Sequence, residues 1–190
     1  KTDGPGKKIL ISGKTRCNLT NSADTEDFIG MYGINGRFLR NAFHRFFRDD
    51  LLVLLKRYWL ETKLERGGRI FPVSDDAQDV VKVFERYMAE YRVQTRMGVR
   101  ADRVIVKQGQ ITGVSTDKGI FKGNAVVLAS GGASFPATGS NGDGYRIAEA
   151  LGHTIVPLRP ALVPIVLREI EMLKKMQEII LDEINVKDIE

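Results

Sequence analysis

Two glycine-bearing segments carry residues whose types and spacing could hold a ligand. In the first, Ser130, Gly131 and Gly132 follow a short apolar run, and Thr138-Gly139-Ser140-Asn141-Gly142-Asp143-Gly144 then opens a helical pattern. Glycine lets a ligand approach the backbone, and the free amides of a helix start suit a phosphate, a carboxylate or the electron-rich edge of a flavin. The same glycines serve equally well in a tight loop without a ligand. In the second segment, Gly13-Lys14-Thr15-Arg16-Cys17-Asn18, an arginine and an asparagine in a glycine-started loop could hold a phosphate or a flavin carbonyl. The Cys17 thiol has no His or Asp partner in local reach, so it reads as structural rather than catalytic. His44 falls in an amphipathic pattern and His153 just after a helix stop, and both read as surface or packing residues. A complete G-x-G-x-x-G is absent, because Gly4-Pro5-Gly6 and Gly142-Asp143-Gly144 each lack the third glycine.

The elements around these segments follow from periodicity and turn chemistry. The first 21 residues read as loop around the apolar run Ile9-Leu10-Ile11. Phe38, Leu39, Ala42, Phe43 and Phe46, and then Leu51, Leu54, Leu55 and Tyr58, recur at helical spacing with an interruption at Asp49-Asp50, predicting two helices. Arg66-Gly67-Gly68-Arg69 predicts a turn, and Ile70-Phe71-Pro72-Val73 an extended piece that its proline assigns to an edge or a loop. Asp75 is the expected N-cap of the next helix, with Gln78 returning the bond and Val80, Val83, Phe84, Tyr87 and Met88 buried, up to an end near Tyr91. Residues 92–97 alternate as a strand. Residues 101–122 read as three strands joined at Gln108-Gly109 and Asp117-Lys118-Gly119, a small antiparallel meander. Ala125-Val126-Val127-Leu128 is apolar at every position, as a parallel strand covered on both faces would be. A helix follows from Asp143 to about Leu151, with Ile147, Ala148 and Leu151 inward and Gly152 ending it. The fold class is therefore α/β: an incomplete doubly wound, Rossmann-like domain with a small antiparallel β-meander and a C-terminal amphipathic helix.

Bulk composition bounds this reading. A chain of 190 residues, 43% hydrophobic and 28% charged, suits one soluble domain with an appendage, divided here as 1–167 and 168–190. Its apolar runs fall far short of the roughly 20 residues of a membrane span, and its opening has no apolar signal core. A cytoplasmic location and no membrane partner are expected. The single cysteine excludes an internal disulfide and a Cys-rich zinc site, and no metal is expected. The net charge of +5 is spread among acidic residues. Its densest basic stretch sets Arg37, Arg40, Arg45 and Arg48 beside Phe38, Phe43, Phe46 and Phe47, a smaller patch than phosphate-neutralising surfaces use, so no nucleic-acid partner is expected.

Three ordered blocks carry a resemblance: Lys7-Lys8-Ile9-Leu10-Ile11-Ser12-Gly13, Arg16-Cys17-Asn18-Leu19-Thr20-Asn21 and Gly68-Arg69-Ile70-Phe71-Pro72-Val73-Ser74. With the stretch over 129–164, and most specifically 138–148, they resemble a family of bacterial FAD-dependent oxidoreductases. That family includes bile-acid-inducible reductases and aminoacetone-oxidase-like proteins. The similarity runs from Gly6 to about Pro164. It implies FAD as cofactor and electron or hydride transfer to or from a small organic substrate, with NAD(P)H or oxygen as the redox partner. It places Arg16, Cys17 and Asn18 in a loop near the flavin. It has Ser130, Gly131, Gly132, Gly142, Asp143 and Gly144 approach the cofactor, and Val99, within 97–100, pass the adenine. It implies no catalytic acid or base.

The chain also departs from that family. Family members open with a strand and a G-x-G-x-x-G turn ahead of the block at Gly6, so the chain is expected to be N-terminally truncated. Lys14 and Thr15 stand where the family's loop has glycines, and their bulk intrudes on close backbone approach. Residues 168–190 depart from the family, and their end faintly resembles the C-terminal region of isoleucyl-type tRNA synthetases. The leading reading is an FAD-binding oxidoreductase core. Its rival is a non-enzymatic fragment that does not retain FAD and self-associates through an exposed sheet edge. A third reading is a basic interaction module on the 37–48 face.

Overall fold

The computed structural model describes residues 1–159. In chain order the elements are α1 (Lys7–Ile11), β1 (Thr20–Asn21), α2 (Thr25–Gly30), α3 (Arg40–Arg45), α4 (Arg48–Arg57), β2 (Thr62–Glu65), β3 (Arg69–Pro72), α5 (Ala77–Glu90), β4 (Ala101–Lys107), β5 (Gln110–Thr116), β6 (Gly119–Lys122) and α6 (Asp143–Ala150). Short 3-10 helices cover Gly33–Leu39, Arg66–Gly68 and Pro136–Thr138. The chain divides into Lys1–Thr154 and Ile155–Glu190. The helix expected over 168–190 lies outside the described residues.

The strands form two three-stranded antiparallel sheets, ordered β1-β3-β2 and β4-β5-β6, giving a Rossmann-like α/β chain with small antiparallel sheets. The second sheet is the expected meander. Its first turn has Gln108 and Gly109 both left-handed, at φ 51° and 76°, the geometry a two-residue hairpin needs to match strand twist. In the first sheet β3 is central, although Pro72 predicted an edge. The Val73 N–H donates to Glu61 on the β2 side, so by alternation the Pro72 nitrogen faces the other side. There β1 has already ended, because it pairs only with Arg69 and Ile70, and the missing N–H costs no ladder bond.

The main core forms where α4 and α5 meet the first loop. Leu55, Ala77, Val80 and Val83 are buried with Tyr58, Leu60 and Cys17, and Ile9, Leu10 and Phe84 pack onto them. This packing explains α1, which the sequence suggested was loop. Five residues make a poor isolated helix, but here Ile9 and Leu10 face a ready-made apolar surface.

Other expectations are corrected in detail. The α3–α4 break falls at Phe46-Phe47, not at Asp49-Asp50. The Asp50 carboxylate accepts the Phe47 N–H at 2.8 Å, so the two acids start α4 and complement its dipole. The N-cap of α5 is Asp76, which accepts from Gln78 N at 2.8 Å, while Asp75 is left-handed and drawn into an ion cluster. Residues 92–97 form no strand, because Arg92 and Val93 are spent closing α5: their N–H groups donate to Ala89 and Met88. Residues 125–128 form no strand either. No parallel ladder exists among the described residues, and Val127 is 90% exposed. In α6 Ile147 is buried as expected, whereas Leu151 is exposed.

Helices α4, α5 and α6 end alike. In each the residue after the cap is left-handed, its N–H reaches back three residues, and the next N–H reaches back five: Trp59 and Leu60, Arg92 and Val93, Gly152 and His153. Only α6 places the usual glycine there.

Candidate functional site

The glycine segment between 130 and 144 folds back on itself ahead of α6. Phe135 and Ser140 form an isolated antiparallel bridge across the 3-10 turn, and the Gly142 N–H donates to Gly132 O at 3.1 Å. Gly139 and Gly142 are left-handed, at φ 90° and 84°. At Gly131 a Cβ would lie 2.8 Å from Ser140 Oγ, and at Gly144 it would come closer to Ser130 Oγ than the 3.0 Å that Cβ atoms keep. At Gly131 the left-handed backbone, φ 75°, and the Ser140 hydroxyl both favour glycine, whereas at Gly144 only the Ser130 hydroxyl stands in the way of a larger residue.

This fold brings Val99, Ser130 and Asp143 to the wall of one cleft of about 300 Å³, together with Arg100, Gly139 and Ile147. Lys1 crosses it. Its ammonium donates to Asn141 Oδ1 at 2.6 Å and pairs with Asp143, while its α-amino group donates to Val99 O at 2.6 Å. Gly98 N donates to Thr2 O at 2.9 Å, tying the 97–100 segment to the same wall. The Lys1 ammonium, and after it Arg146, holds the Asp143 carboxyl below the usual carboxylate range, against an opposing effect of partial burial. Asp143 is thus a charged acceptor at the start of α6. It suits a ligand hydroxyl or amine, and it would repel a phosphate. Sequence reading had no signal for Lys1 or Thr2, which lie far along the chain from Asp143 and outside any motif, and reached Arg100 only as part of the 97–100 segment.

Arg16, Cys17 and Asn18 are held by a different set of neighbours. The Arg16 guanidinium pairs with Glu65 and with Asp75 at 2.7 Å and lies 4.2 Å from the Phe71 ring centroid. Lys63 completes the cluster, 2.5 Å from Asp75, and Lys63 first and then Arg16 lower the Asp75 carboxyl. Cys17 is buried in the main core, where burial pushes its thiol up against a weaker opposing bond from Ser12. That environment favours the inert thiol. Asn18 is exposed. The bulk expected at Lys14 and Thr15 is accommodated by strain: both are left-handed, at φ 56° and 69°, the conformation that glycine adopts freely. No group of three His, Cys, Asp or Glu side chains among the described residues could hold a metal ion, and no helix among them is long and apolar enough to cross a membrane.

Comparison with known proteins adds an independent line. The family described as HI0933-like protein Rossmann domain matches residues 1–187. The chain is 37% identical over 158 residues to a 3-dehydro-bile acid delta(4,6)-reductase of Clostridium scindens, covering 83% of this chain and 38% of the relative. It is 31% identical over 176 residues to a ribosomal RNA dihydrouridine synthase of Escherichia coli, covering 91% of this chain and 42% of the relative. A ribosomal RNA dihydrouridine synthase of Haemophilus influenzae is 27% identical over 167 residues, covering 86% and 41%. The chain thus spans about two fifths of the length of the curated relatives it matches.

Proposed function

This chain belongs to the HI0933-like Rossmann-domain family, and on that premise we propose that it is the cofactor-facing part of an FAD-dependent reductase of carbon–carbon double bonds conjugated to a carbonyl. The observation that carries the cofactor half is the convergence of Val99, Ser130 and Asp143 on one cleft at the start of α6. Its acceptors fit the hydroxyl- and amine-bearing part of a dinucleotide. Val99 lines the cleft, and Asp143 is a charged acceptor for a hydroxyl or an amine. A cleft of about 300 Å³ lies at the low end of ligand pockets and holds one portion of such a cofactor. A bound flavin supplies the hydride chemistry; Val99, Ser130 and Asp143 supply binding and orientation.

The reaction half rests on the relatives' names. A 3-dehydro-bile acid with delta(4,6) unsaturation carries double bonds conjugated to its 3-carbonyl. Dihydrouridine is uridine saturated at the bond conjugated to the uracil 4-carbonyl. Both reactions saturate an electron-poor alkene, and that shared step is what we assign here.

The test is flavin retention. The purified chain is incubated with excess FAD, desalted, and its visible spectrum and thermal melt recorded. The expected result is bound flavin after desalting, released on denaturation, and stability raised by about 2.7 kcal/mol in a separate melt that keeps free FAD at ~100 times its Kd. Asp143→Ala should lower retention. A cooperative melt that excess FAD does not move, with no flavin retained, would overturn the reading in favour of a fragment that does not retain FAD.

A further inference from the structure

A cleft of about 450 Å³ opens between the end of α4 and helix α5, and it shares no lining residue with the cofactor cleft. Two unfavourable features meet there in Trp59. Its backbone is left-handed at φ 67°, a conformation that bulky residues rarely adopt, and its ring is 89% exposed with no aromatic or cationic partner among the described residues. The backbone is fixed by the end of α4, where the Lys56 and Leu55 carbonyls accept the Trp59 and Leu60 N–H groups. That motif calls for glycine and gains nothing from an indole. The ring shares the cleft with the buried Leu60 and Val83 and with the exposed Val73, so an apolar group entering it meets aliphatic carbon as well as the indole. The charged lining is unevenly satisfied. Asp79 and Lys82 pair with one another at 2.9 Å, whereas the side chains of Glu61, in the α4–β2 link, and Arg86, on α5, make no ion pair or hydrogen bond among the described residues.

We infer that this cleft binds an aromatic α-amino acid, with the ligand ring against Trp59, its carboxylate on Arg86 and its ammonium on Glu61. An aromatic side chain gives the indole the stacked or edge-on partner that the chain itself does not supply. The charge pattern selects a zwitterion. A purely anionic ligand would meet the Glu61 carboxylate as a like charge, and a purely cationic one the Arg86 guanidinium, whereas a zwitterion satisfies both. The four charged side chains of the lining, Glu61, Asp79, Lys82 and Arg86, sum to zero, which matches a ligand of no net charge. The volume is that of a small-molecule pocket. A left-handed tryptophan is then a stability cost kept for binding, in the way strain gathers at functional sites.

Trp59 is the sole tryptophan of the chain, so its fluorescence reports on this cleft alone. Phenylalanine, which does not absorb where tryptophan is excited, is titrated into the flavin-free chain, and calorimetry gives the affinity. The free chain should emit as a water-exposed indole, and phenylalanine should move the emission to shorter wavelength in a saturable, one-to-one titration. Removing the ammonium (3-phenylpropanoate), the carboxylate (2-phenylethylamine) or the ring (alanine) should each weaken binding about 2- to 10-fold. Glu61→Gln and Arg86→Gln, both at exposed positions and checked for folding by circular dichroism, should each weaken phenylalanine binding by a similar factor. Glu61→Gln should not weaken 3-phenylpropanoate, and Arg86→Gln should not weaken 2-phenylethylamine. In calorimetry Trp59→Gly should weaken binding without loss of stability, and Trp59→Phe should restore part of it. The inference is overturned if phenylalanine gives no saturable change, if alanine or a singly charged analogue binds as tightly, or if both charge variants weaken every ligand alike. It is also overturned if the emission is already shifted before ligand is added and follows protein concentration, because a second copy then covers the ring. No flavin enters these measurements, so their failure leaves the cofactor reading standing, and loss of flavin retention leaves this inference standing.

Discussion

Replacing Gly144 by alanine tests the packing that shapes the candidate cleft. Gly144 lies in the first turn of α6 with ordinary helical backbone, so alanine there should gain up to about 1 kcal/mol in helix propensity. The structure offsets that gain. The added methyl would enter the space of Ser130 Oγ, while Ser130 Cβ and Leu128 Cγ stay at ordinary contact distances of 3.6 and 3.8 Å. One oxygen therefore carries the whole clash. Turning that exposed, unbonded hydroxyl aside costs about 0.5–1.5 kcal/mol, so Gly144→Ala should end between roughly 0.5 kcal/mol more stable and 1.5 kcal/mol less stable than the parent, short of the full propensity gain. Ser130 is exposed and its hydroxyl makes no hydrogen bond among those described, so Ser130→Ala should be nearly neutral. The double variant loses the clash and keeps the helix gain, and should be as stable as the parent or up to about 1 kcal/mol more so. A coupling energy of roughly 0.5–1.5 kcal/mol between the two sites follows. Urea unfolding followed by far-ultraviolet circular dichroism measures all four corners of the cycle. If Gly144→Ala stabilises by itself and Ser130→Ala adds nothing, the two segments do not meet as described.

Trp59 occupies the left-handed position after α4 with its side chain 89% exposed, so Trp59→Gly relieves strain and loses little burial. It should raise stability by about 1 kcal/mol in denaturant unfolding, and a loss of stability would mean the ring makes an energetic contact. Asp75 titrates below 3.8 in the folded chain because Lys63 and Arg16 hold it ionised. Its contribution is therefore present above that value and disappears as pH falls through the folded pKa. Asp75→Asn should flatten the acid limb of a plot of Tm against pH; an unchanged limb would show that the cluster adds nothing. Cys17 is 5% exposed and its thiol is pushed up by burial, so it should react with a disulfide reagent at the rate of global unfolding and quickly in denaturant. Fast reaction of the native chain would place the thiol at an open site.

Local chemistry was readable wherever one segment settles its own structure. The β4–β6 meander follows from its two turns, and α5 from its stripe of valines and a carboxylate at its start. The glycine run ahead of α6 was legible as a tight loop because few other residues adopt its backbone angles. What depended on distant neighbours was not legible. α1 exists because Ile9 and Leu10 meet the core, and Pro72 lies in a central strand because β1 stops short of it. Residues 125–128 have the composition of a buried strand, but a strand also needs a partner for its backbone, and none stands beside them among the described residues. The same division runs through the site. The glycine-bearing segment nominated Ser130 and Asp143, and the family resemblance nominated Val99. Tertiary structure brought those three to one cleft with Lys1 across it and tied Arg16 into an ion cluster of its own, because hydrogen bonds and ion pairs depend on distance in space rather than along the chain.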